Sequence, residues 1–212
     1  MTEQIEQRSP EWFAARCGSL GASQLQTVIS KTKAGSYGAG RETLKRRLVV
    51  ERLTGVQEDG FKSAAMQWGI DQEDNARRAY ERYSGDFVTE VGLYRHPAIE
   101  GTHASPDGLV GQEGLIEIKC PNTDTHVDAI LTGKIPDRYI TQMQWQMACA
   151  GKTFCDFVSY DPRVPERLQL WCFRIERDDK YISMLESEVR LFLDEVEAEL
   201  DALRQKEAEA GS

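Results

Sequence analysis

A segment near the middle of the chain carries two charges inside an otherwise apolar run. Residues 105–121 read SPDGLVGQEGLIEIKCP, and Glu117 and Lys119 interrupt the apolar stretch near its end. Burying an unpaired charge costs far more free energy than burying a methyl group gains. The two charges therefore either form a salt bridge on an exposed strand face or belong to a site that needs both.

The alternation of side chains along a strand decides which residues share a face. If this run is a strand, Ile116 and Ile118 point to the core, and Leu115, Glu117 and Lys119 point to the other side. Glu117 and Lys119 are then roughly 7 Å apart along the strand, from two steps of ~3.3 Å. The two charged side chains converge on one face.

A turn precedes this strand. Residues 111–114 read GQEG, with glycine at each end, and predict a hairpin turn that folds residues 107–110 back beside the strand. The hairpin brings Asp107 close to Glu117. Pro106 places Asp107 at the start of its strand, because proline cannot donate a hydrogen bond within a sheet. The sequence leaves the register of this hairpin open.

Two carboxylates and one ammonium group at a strand end suggest hydrolysis of a phosphodiester. Close carboxylates repel, which raises a pKa unless a cation lies between them. Mg²⁺ or Mn²⁺ suits such oxygen ligands, polarises a phosphoryl group and lowers the pKa of a bound water. Lys119 could orient or deprotonate that water, or stabilise developing negative charge.

Composition narrows the class of protein. The 212 residues carry a formal net charge of −9, which argues weakly against nucleic-acid binding, although a local basic surface can act within an acidic whole. The N-terminus lacks a signal-peptide pattern, and no run approaches ~18 consecutive apolar residues. The five cysteines are scattered and favour neither disulfides nor a metal site. These features predict a cytoplasmic protein with no membrane span.

Helix and strand signals follow one another in an α/β order. Ser9 and Pro10 are typical of a helix start, and Gly85 of a helix end. A turn is predicted at residues 17–23 and a basic loop at residues 31–41. Predicted helices cover residues 9–16, a short stretch after the turn, and residues 42–54, 62–84, 137–150 and about 179–209. Predicted strands cover residues 87–96, 107–110, 115–120, 154–160 and 168–175. The order predicts a single α/β domain, 1–212, with a central mixed β-sheet flanked by helices. Its core spans about 8–177, and an amphipathic helix spans about 179–209.

The charged segment also fits a known signature. The arrangement SPDG-x(8)-EIK resembles the PD-(D/E)xK nuclease core. Further segments are similar, in the same order, to those of the lambda exonuclease and YqaJ-type viral recombinase family; they are RSPEWFAARCGSLGAS, MQWGIDQEDNARRAYE, HASPDGL, LIEIKCP, YITQMQWQM, YDPR and IERDDKY. The resemblance covers about residues 8–200. It implies a restriction-endonuclease-like fold and a phage or prophage origin.

The resemblance implies roles for the residues at the centre of the chain. Asp107 and Glu117 match the metal-binding carboxylates, and the backbone carbonyl of Ile118 matches a further metal ligand. Lys119 matches the residue that holds or activates the attacking water. Glu73, on the predicted helix 62–84, matches an active-site glutamate; its alternative is a surface ion pair with the arginine four residues later.

A second set of residues matches the pocket that receives a 5′-terminal phosphate in this family: Arg16, Ser23, Ser105 and Gln142. A guanidinium group, two hydroxyls and an amide supply the donors that a phosphate needs. Helix capping and ordinary surface polarity are the alternatives for each, and Gln146 competes with Gln142.

A third set of residues lies at positions where the resemblance implies contacts with the DNA strands. Met66 lies where the family places an apolar wedge between the strands, and a buried core methionine is the alternative. Lys31, Lys33 and Arg41, in the basic loop, are candidates for contacts with the DNA backbone, and a solvated loop is the alternative.

The implied activity is that of a Mg²⁺-dependent 5′-to-3′ exonuclease on linear double-stranded DNA with 5′-phosphate ends. It would use two Mg²⁺ ions, with Mn²⁺ as a substitute, release 5′-mononucleotides and leave a 3′ single-stranded overhang for recombination. A homotrimer and a single-strand annealing partner in the bacterial cytoplasm are implied as well. The rival interpretations are a restriction-type endonuclease and a DNA-binding scaffold without activity.

Overall fold

The computed structural model describes residues 2, 3, 5, 7–57 and 63–210. The helices are α1 (Pro10–Arg16), α2 (Leu25–Ile29), α3 (Ala39–Thr54), α4 (Ala64–Ser84), α5 (Thr123–Thr132), α6 (Asp137–Ala150) and α7 (Asp179–Ala210). The strands are β1 (Thr2–Glu3), β2 (Leu20–Gly21), β3 (Val88–Thr89), β4 (Leu93–Arg95), β5 (Thr102–Ala104), β6 (Gly108–Val110), β7 (Gly114–Lys119), β8 (Phe154–Tyr160) and β9 (Leu170–Glu176). Residues 1, 4, 6, 58–62, 211 and 212, which fall in the predicted domain, lie outside the described residues, and residue 62 is also the start of a predicted helix.

The larger sheet contains the charged segment and is mixed, as predicted. Its strand order is β3-β6-β7-β8-β9, and β7 and β8 are parallel while the other neighbours are antiparallel. The predicted hairpin is confirmed, because Gly108 pairs with Ile116 and Val110 with Gly114. A side chain at Gly114 would overlap the ring of Phe154, so the close approach of β8 requires glycine there.

A smaller sheet was not predicted. It has the order β1-β4-β5-β2, and its strands are only two or three residues long. The predicted strand 87–96 divides between the two sheets, since β3 pairs with β6 and β4 pairs with β5. The predicted turn 17–23 contains β2, which pairs in parallel with β5.

Helices cover both faces of the larger sheet. On one face, Ala76 and Tyr80 of α4 belong to a buried cluster with residues of β7 and β8. On the other face, Met143 and Met147 of α6 pack in a cluster with Leu115. The side of β7 that carries Glu117 therefore faces a helix rather than solvent.

The remaining core lies between α7 and helices α2 and α3. The apolar residues of α7 at helical spacing are buried, namely Ile182, Leu185, Val189, Phe192, Val196 and Leu200. The predicted amphipathic helix is thus confirmed to within one residue at its end. No helix in the described ranges is both long enough and apolar enough to cross a membrane.

Candidate active site

The β6–β7 hairpin brings Asp107 opposite the charged strand. The Asp107 backbone N–H donates to the Ile116 carbonyl at 3.2 Å, which joins the residue before β6 to β7. The Asp107 carboxylate in turn accepts a hydrogen bond from the Ile118 backbone N–H at 2.6 Å. Asp107 is therefore fixed beside Glu117 by its own backbone and side chain, as the hairpin predicted.

The Glu117 carboxylate is buried, and both of its oxygens accept hydrogen bonds. Its side chain is 1% exposed, which excludes a salt bridge on an exposed strand face. Gln142 Nε2 donates to Glu117 Oε1 at 2.6 Å, and Gln146 Nε2 donates to Oε2 at 2.6 Å. Lys119 forms an ion pair with the same carboxylate. Two amides one helical turn apart on α6 and one ammonium group thus hold a single carboxylate.

Two carboxylates, Asp107 and Glu117, lie beside a single ammonium group, that of Lys119. Burial, and then the negative charge of Glu117, raise the pKa of Asp107 well above its usual value. Burial alone would lower the pKa of Lys119, but the carboxylates of Glu117 and Asp107 outweigh it and raise that pKa above its usual value. The ammonium group remains charged at neutral pH, yet it does not remove the repulsion between the carboxylates.

Asp107, Ile118 and Lys119 line an open cleft of about 660 Å³ between α4 and the end of β7, and Glu117 lies buried behind them. Glu73 of α4 lies in its wall, and its negative charge also raises the pKa of Asp107. Glu73 forms an ion pair with Arg8, whereas Arg77 pairs with Asp74 and Glu90. The alternative surface pair between Glu73 and Arg77 is therefore not formed.

The donor set fits a hard divalent cation. Asp107 and Glu117 present oxygen atoms only, and a cation between them would offset the repulsion that raises the pKa of Asp107. In the described part of the chain, no three His, Cys, Asp or Glu side chains are grouped so that they could hold a metal by themselves. Backbone carbonyl, water or substrate oxygens are thus needed to complete a coordination shell.

The four predicted phosphate ligands differ in the groups that they contact. Arg16 stacks on the ring of Trp12 at 3.8 Å, and the Trp12 indole N–H donates to Ser105 Oγ at 3.1 Å. Burial, and then the positive charge of Arg47, lower the pKa of Arg16 to about 10. Trp12 therefore connects two of the four residues.

The other two members have different hydrogen-bond partners. Gln142 contacts Glu117, as described above, so it joins the carboxylate site. Ser23 is exposed in a short 3-10 turn before α2, and it forms no hydrogen bond with the other three within the described residues. The structure thus links Arg16 and Ser105 through Trp12, and the turn that carries Ser23 packs against α6 and β5.

The predicted DNA contacts have different surroundings. Met66 is 56% exposed and lies in the wall of the cleft, which excludes the buried alternative. Lys33 is exposed, and Lys31 pairs with Glu188 at 3.7 Å. Arg41 is 2% exposed, pairs with Glu195 and stacks on Tyr37. Arg41 therefore has a structural role in place of the predicted DNA contact.

Sequence reasoning missed several residues of the site. Gln146 was considered only as a competitor of Gln142, yet both hold Glu117. The Lys119 ammonium lies 5.3 Å from the centre of the Tyr139 ring, and Arg163 lines the cleft. Glutamines four residues apart on a helix whose neighbours are apolar were the available signal for the first of these.

The fold and the paired carboxylates with their lysine define a PD-(D/E)xK-like nuclease core. Residues 11–153 match the YqaJ-like viral recombinase domain, and the chain belongs to this family. No curated protein matches the chain significantly.

Solved structures give the same class. The chain is 51% identical to an alkaline exonuclease, LHK-Exo, from Laribacter hongkongensis, over 95% of this chain and 100% of that one, with a TM-score of 0.89. A second structure of LHK-Exo, in complex with dAMP, has a TM-score of 0.90 over the same shares of the two chains. A phage-related exonuclease from Haemophilus somnus shares the fold at 17% identity, with a TM-score of 0.67 over 87% of this chain and 96% of that one. Family and relatives together support a DNA exonuclease.

Proposed function

We propose that the chain is a Mg²⁺-dependent exonuclease that degrades one strand of linear double-stranded DNA in the 5′-to-3′ direction. It releases 5′-mononucleotides and leaves a 3′ single-stranded overhang. The observation that carries the proposal is the buried Glu117 carboxylate, which lies beside Asp107 and Lys119 at the end of a strand in a chain of this family. The dAMP complex of LHK-Exo is that of a 5′-mononucleotide, which supports this product class.

Asp107, Glu117 and the Ile118 carbonyl would hold Mg²⁺, with Mn²⁺ as a substitute. When bound, such an ion polarises the scissile phosphate and lowers the pKa of a water. The chain's own residues supply the orientation. The Ile118 N–H fixes the Asp107 carboxylate, and Gln142 and Gln146 fix both oxygens of Glu117. A site built on two paired strands and a buried helix is held rigidly.

Lys119 and Glu73 would act on the substrate and its water. The Lys119 ammonium, charged beside Glu117, holds the attacking water or stabilises negative charge as it develops on the phosphate. Glu73 lies in the cleft wall beside these groups, where its carboxylate can accept a hydrogen bond from that water.

The 5′-terminal phosphate would be held by Arg16, Ser105, Ser23 and Gln142. Support is strongest for Arg16 and Ser105, which Trp12 connects, and Ser105 lies two residues before Asp107. The remaining parts of the proposal are a homotrimer, an annealing protein as partner and a site of action in the bacterial cytoplasm, and they rest on the family resemblance alone.

The test is the release of acid-soluble nucleotide with Mg²⁺ from three DNAs. They are a linear duplex with 5′-phosphates, the same duplex with 5′-hydroxyls and a covalently closed circle. We expect fast digestion of the first, slower digestion of the second and none of the third, with Lys119→Ala inactive on all. Cutting of the circle would indicate an endonuclease, and no hydrolysis with any divalent metal would indicate a binding scaffold.

A further inference from the structure

The YDPR segment, residues 160–163, follows β8 and has no part in the function proposed above. Strands β7 and β8 are parallel neighbours, and Lys119 pairs with Ser159. The carboxyl ends of both strands therefore lie at one edge of the sheet. Arg163 reaches from this edge into the wall of the cleft that also contains Asp107 and Lys119.

The Arg163 side chain is held in one position by its neighbours. Its Nε donates to Asp161 Oδ1 at 2.7 Å, and its Nη2 donates to Asp161 Oδ2 at 3.0 Å and to the Pro121 carbonyl at 3.1 Å. Its guanidinium carbon lies 4.5 Å from the centre of the Trp68 ring. Two parallel hydrogen bonds and a stacking partner fix the plane of the group.

The partner of Arg163 is itself fixed and charged. Asp161 is fully buried and accepts a further hydrogen bond from Thr123 Oγ1 at 2.6 Å. Burial alone would raise the pKa of Asp161, but the hydrogen bonds from Arg163 and Thr123 outweigh it and lower that pKa to about 2. Asp161 is therefore ionised at neutral pH, where it can keep its pair with Arg163.

Arg163 keeps donors for a ligand. Its side chain is 44% exposed, and its third nitrogen, Nη1, donates to no residue in the described chain. The other basic side chain in the cleft wall, Lys119, is paired with Glu117. A planar guanidinium with a free edge matches a phosphate better than an ammonium group does. Arg163 is ion-paired as well, with Asp161, but its Nη1 edge keeps donors that an anionic DNA strand in this acidic cleft can reach.

We propose that Arg163 is a substrate-binding residue, whose free Nη1 donates to a phosphate of the DNA strand in the cleft, and that Asp161 and Trp68 are its positioning residues. The inference rests on the proposed function, because it takes DNA as the substrate. The competing account is that Arg163 only attaches the connection after β8 to the Pro121 carbonyl.

Three variants separate these accounts. Arg163→Ala removes the guanidinium, and Arg163→Lys keeps the charge without the planar group. Arg167→Ala is the matched control, because Arg167 is an exposed arginine of the same connection that lies outside the cleft wall. For each, KM and kcat are measured on a 5′-phosphorylated linear duplex. Affinity for the same duplex is measured with Ca²⁺ in place of Mg²⁺ at several salt concentrations, and Tm is recorded.

We expect Arg163→Ala to raise both KM and the dissociation constant about tenfold or more, the effect of one lost charge-assisted hydrogen bond. The slope of log affinity against log salt should become shallower by about 0.7–0.9, one phosphate contact. Arg163→Lys should keep the wild-type slope and still bind more weakly, and Arg167→Ala should match wild type.

The inference is overturned if Arg163→Ala matches Arg167→Ala in KM and slope, including the case in which only Tm falls. If Arg163→Ala does not fold, Arg163→Lys decides, since an unchanged KM and affinity in that variant also overturn the inference. Affinity is measured without hydrolysis. An inactive wild type would therefore refute the proposed function while the Arg163 comparison still stands.

Discussion

The two glutamines that hold Glu117 can be separated by experiment, because each donates to a different oxygen. Oε1 accepts from Gln142 and also pairs with Lys119, whereas Gln146 is the donor to Oε2 within the described residues. Methionine in place of either glutamine keeps a side chain of similar length and removes the amide. We therefore expect Gln146→Met to be the more damaging change.

The size of the effect follows from burial. Gln146 is fully buried, and a lost hydrogen bond to a buried charged group costs about 1.5–3 kcal/mol. In a chain of this length, 1 kcal/mol corresponds to about 2–4 °C in Tm, so Gln146→Met should lower Tm by about 3–12 °C. Gln142→Met should cost about half of this or less, because Lys119 still compensates Oε1.

Thermal unfolding without metal measures this difference, and digestion of linear duplexes adds a second readout. If Gln142 also binds the 5′-phosphate, Gln142→Met should reduce the preference for 5′-phosphate over 5′-hydroxyl ends, while Gln146→Met should leave that preference unchanged. Equal losses of Tm in both variants, or no loss in Gln146→Met, would refute the assignment of one amide to each oxygen.

Three further predictions concern charge and stability. Asp107→Asn should abolish nucleotide release and raise the Tm of the metal-free protein by a few degrees, because it removes a carboxylate that burial and Glu117 disfavour; an unchanged Tm would contradict the repulsion. Burial, and then nearby arginines, lower the pKa of His103 to about 3 in the folded protein, against ~6.5 in the unfolded chain. The contribution of neutral His103 to stability is therefore present above about pH 6.5 and is lost as the pH falls towards 3. Chemical denaturation should show that His103→Asn flattens this dependence by up to about 1.4 kcal/mol per pH unit, and parallel curves would refute it. Arg41→Ala should cost about 2 kcal/mol in unfolding free energy, less than the 3–5 kcal/mol of a fully buried pair, with DNA affinity per folded molecule unchanged. Lys33→Ala is its exposed control and should leave Tm unchanged. If Arg41→Ala lowers DNA affinity and Lys33→Ala does not, Arg41 contacts DNA as the sequence predicted.

The parts of the fold that sequence predicted are those with strong local signals. The hairpin that joins Asp107 to Glu117 combines a glycine turn with side-chain alternation, and both were observed. The helices that became α4, α6 and α7 have long apolar stripes and clear ends, such as Gly85 in the left-handed conformation after α4.

The parts that were missed depend on distant contacts. The strands of the smaller sheet are too short to show a period of two. Helix α5 is short and buries a histidine, His126, so no stripe of buried apolar residues marks it. Arg41 was predicted within the glycine-rich basic loop 31–41, which suggested exposure, but it belongs to the first turn of α3, and its partner Glu195 is 154 residues further along the chain. No local pattern reports such a partner.

Helix α6 determines how the site can move. Every residue from Thr141 to Cys149 is buried, and α6 contributes Trp145 to one buried cluster and Met143 and Met147 to another. Segments of this kind exchange their backbone amide hydrogens only when the whole domain opens. The side-chain amides of Gln142 and Gln146, which donate to Glu117, are thus carried by a segment that local unfolding does not open. Loss of the hydrogen bonds to Glu117 would then require global unfolding. Hydrogen exchange in α6 would follow the overall stability of the protein, and the part of α4 in the cleft wall would exchange sooner.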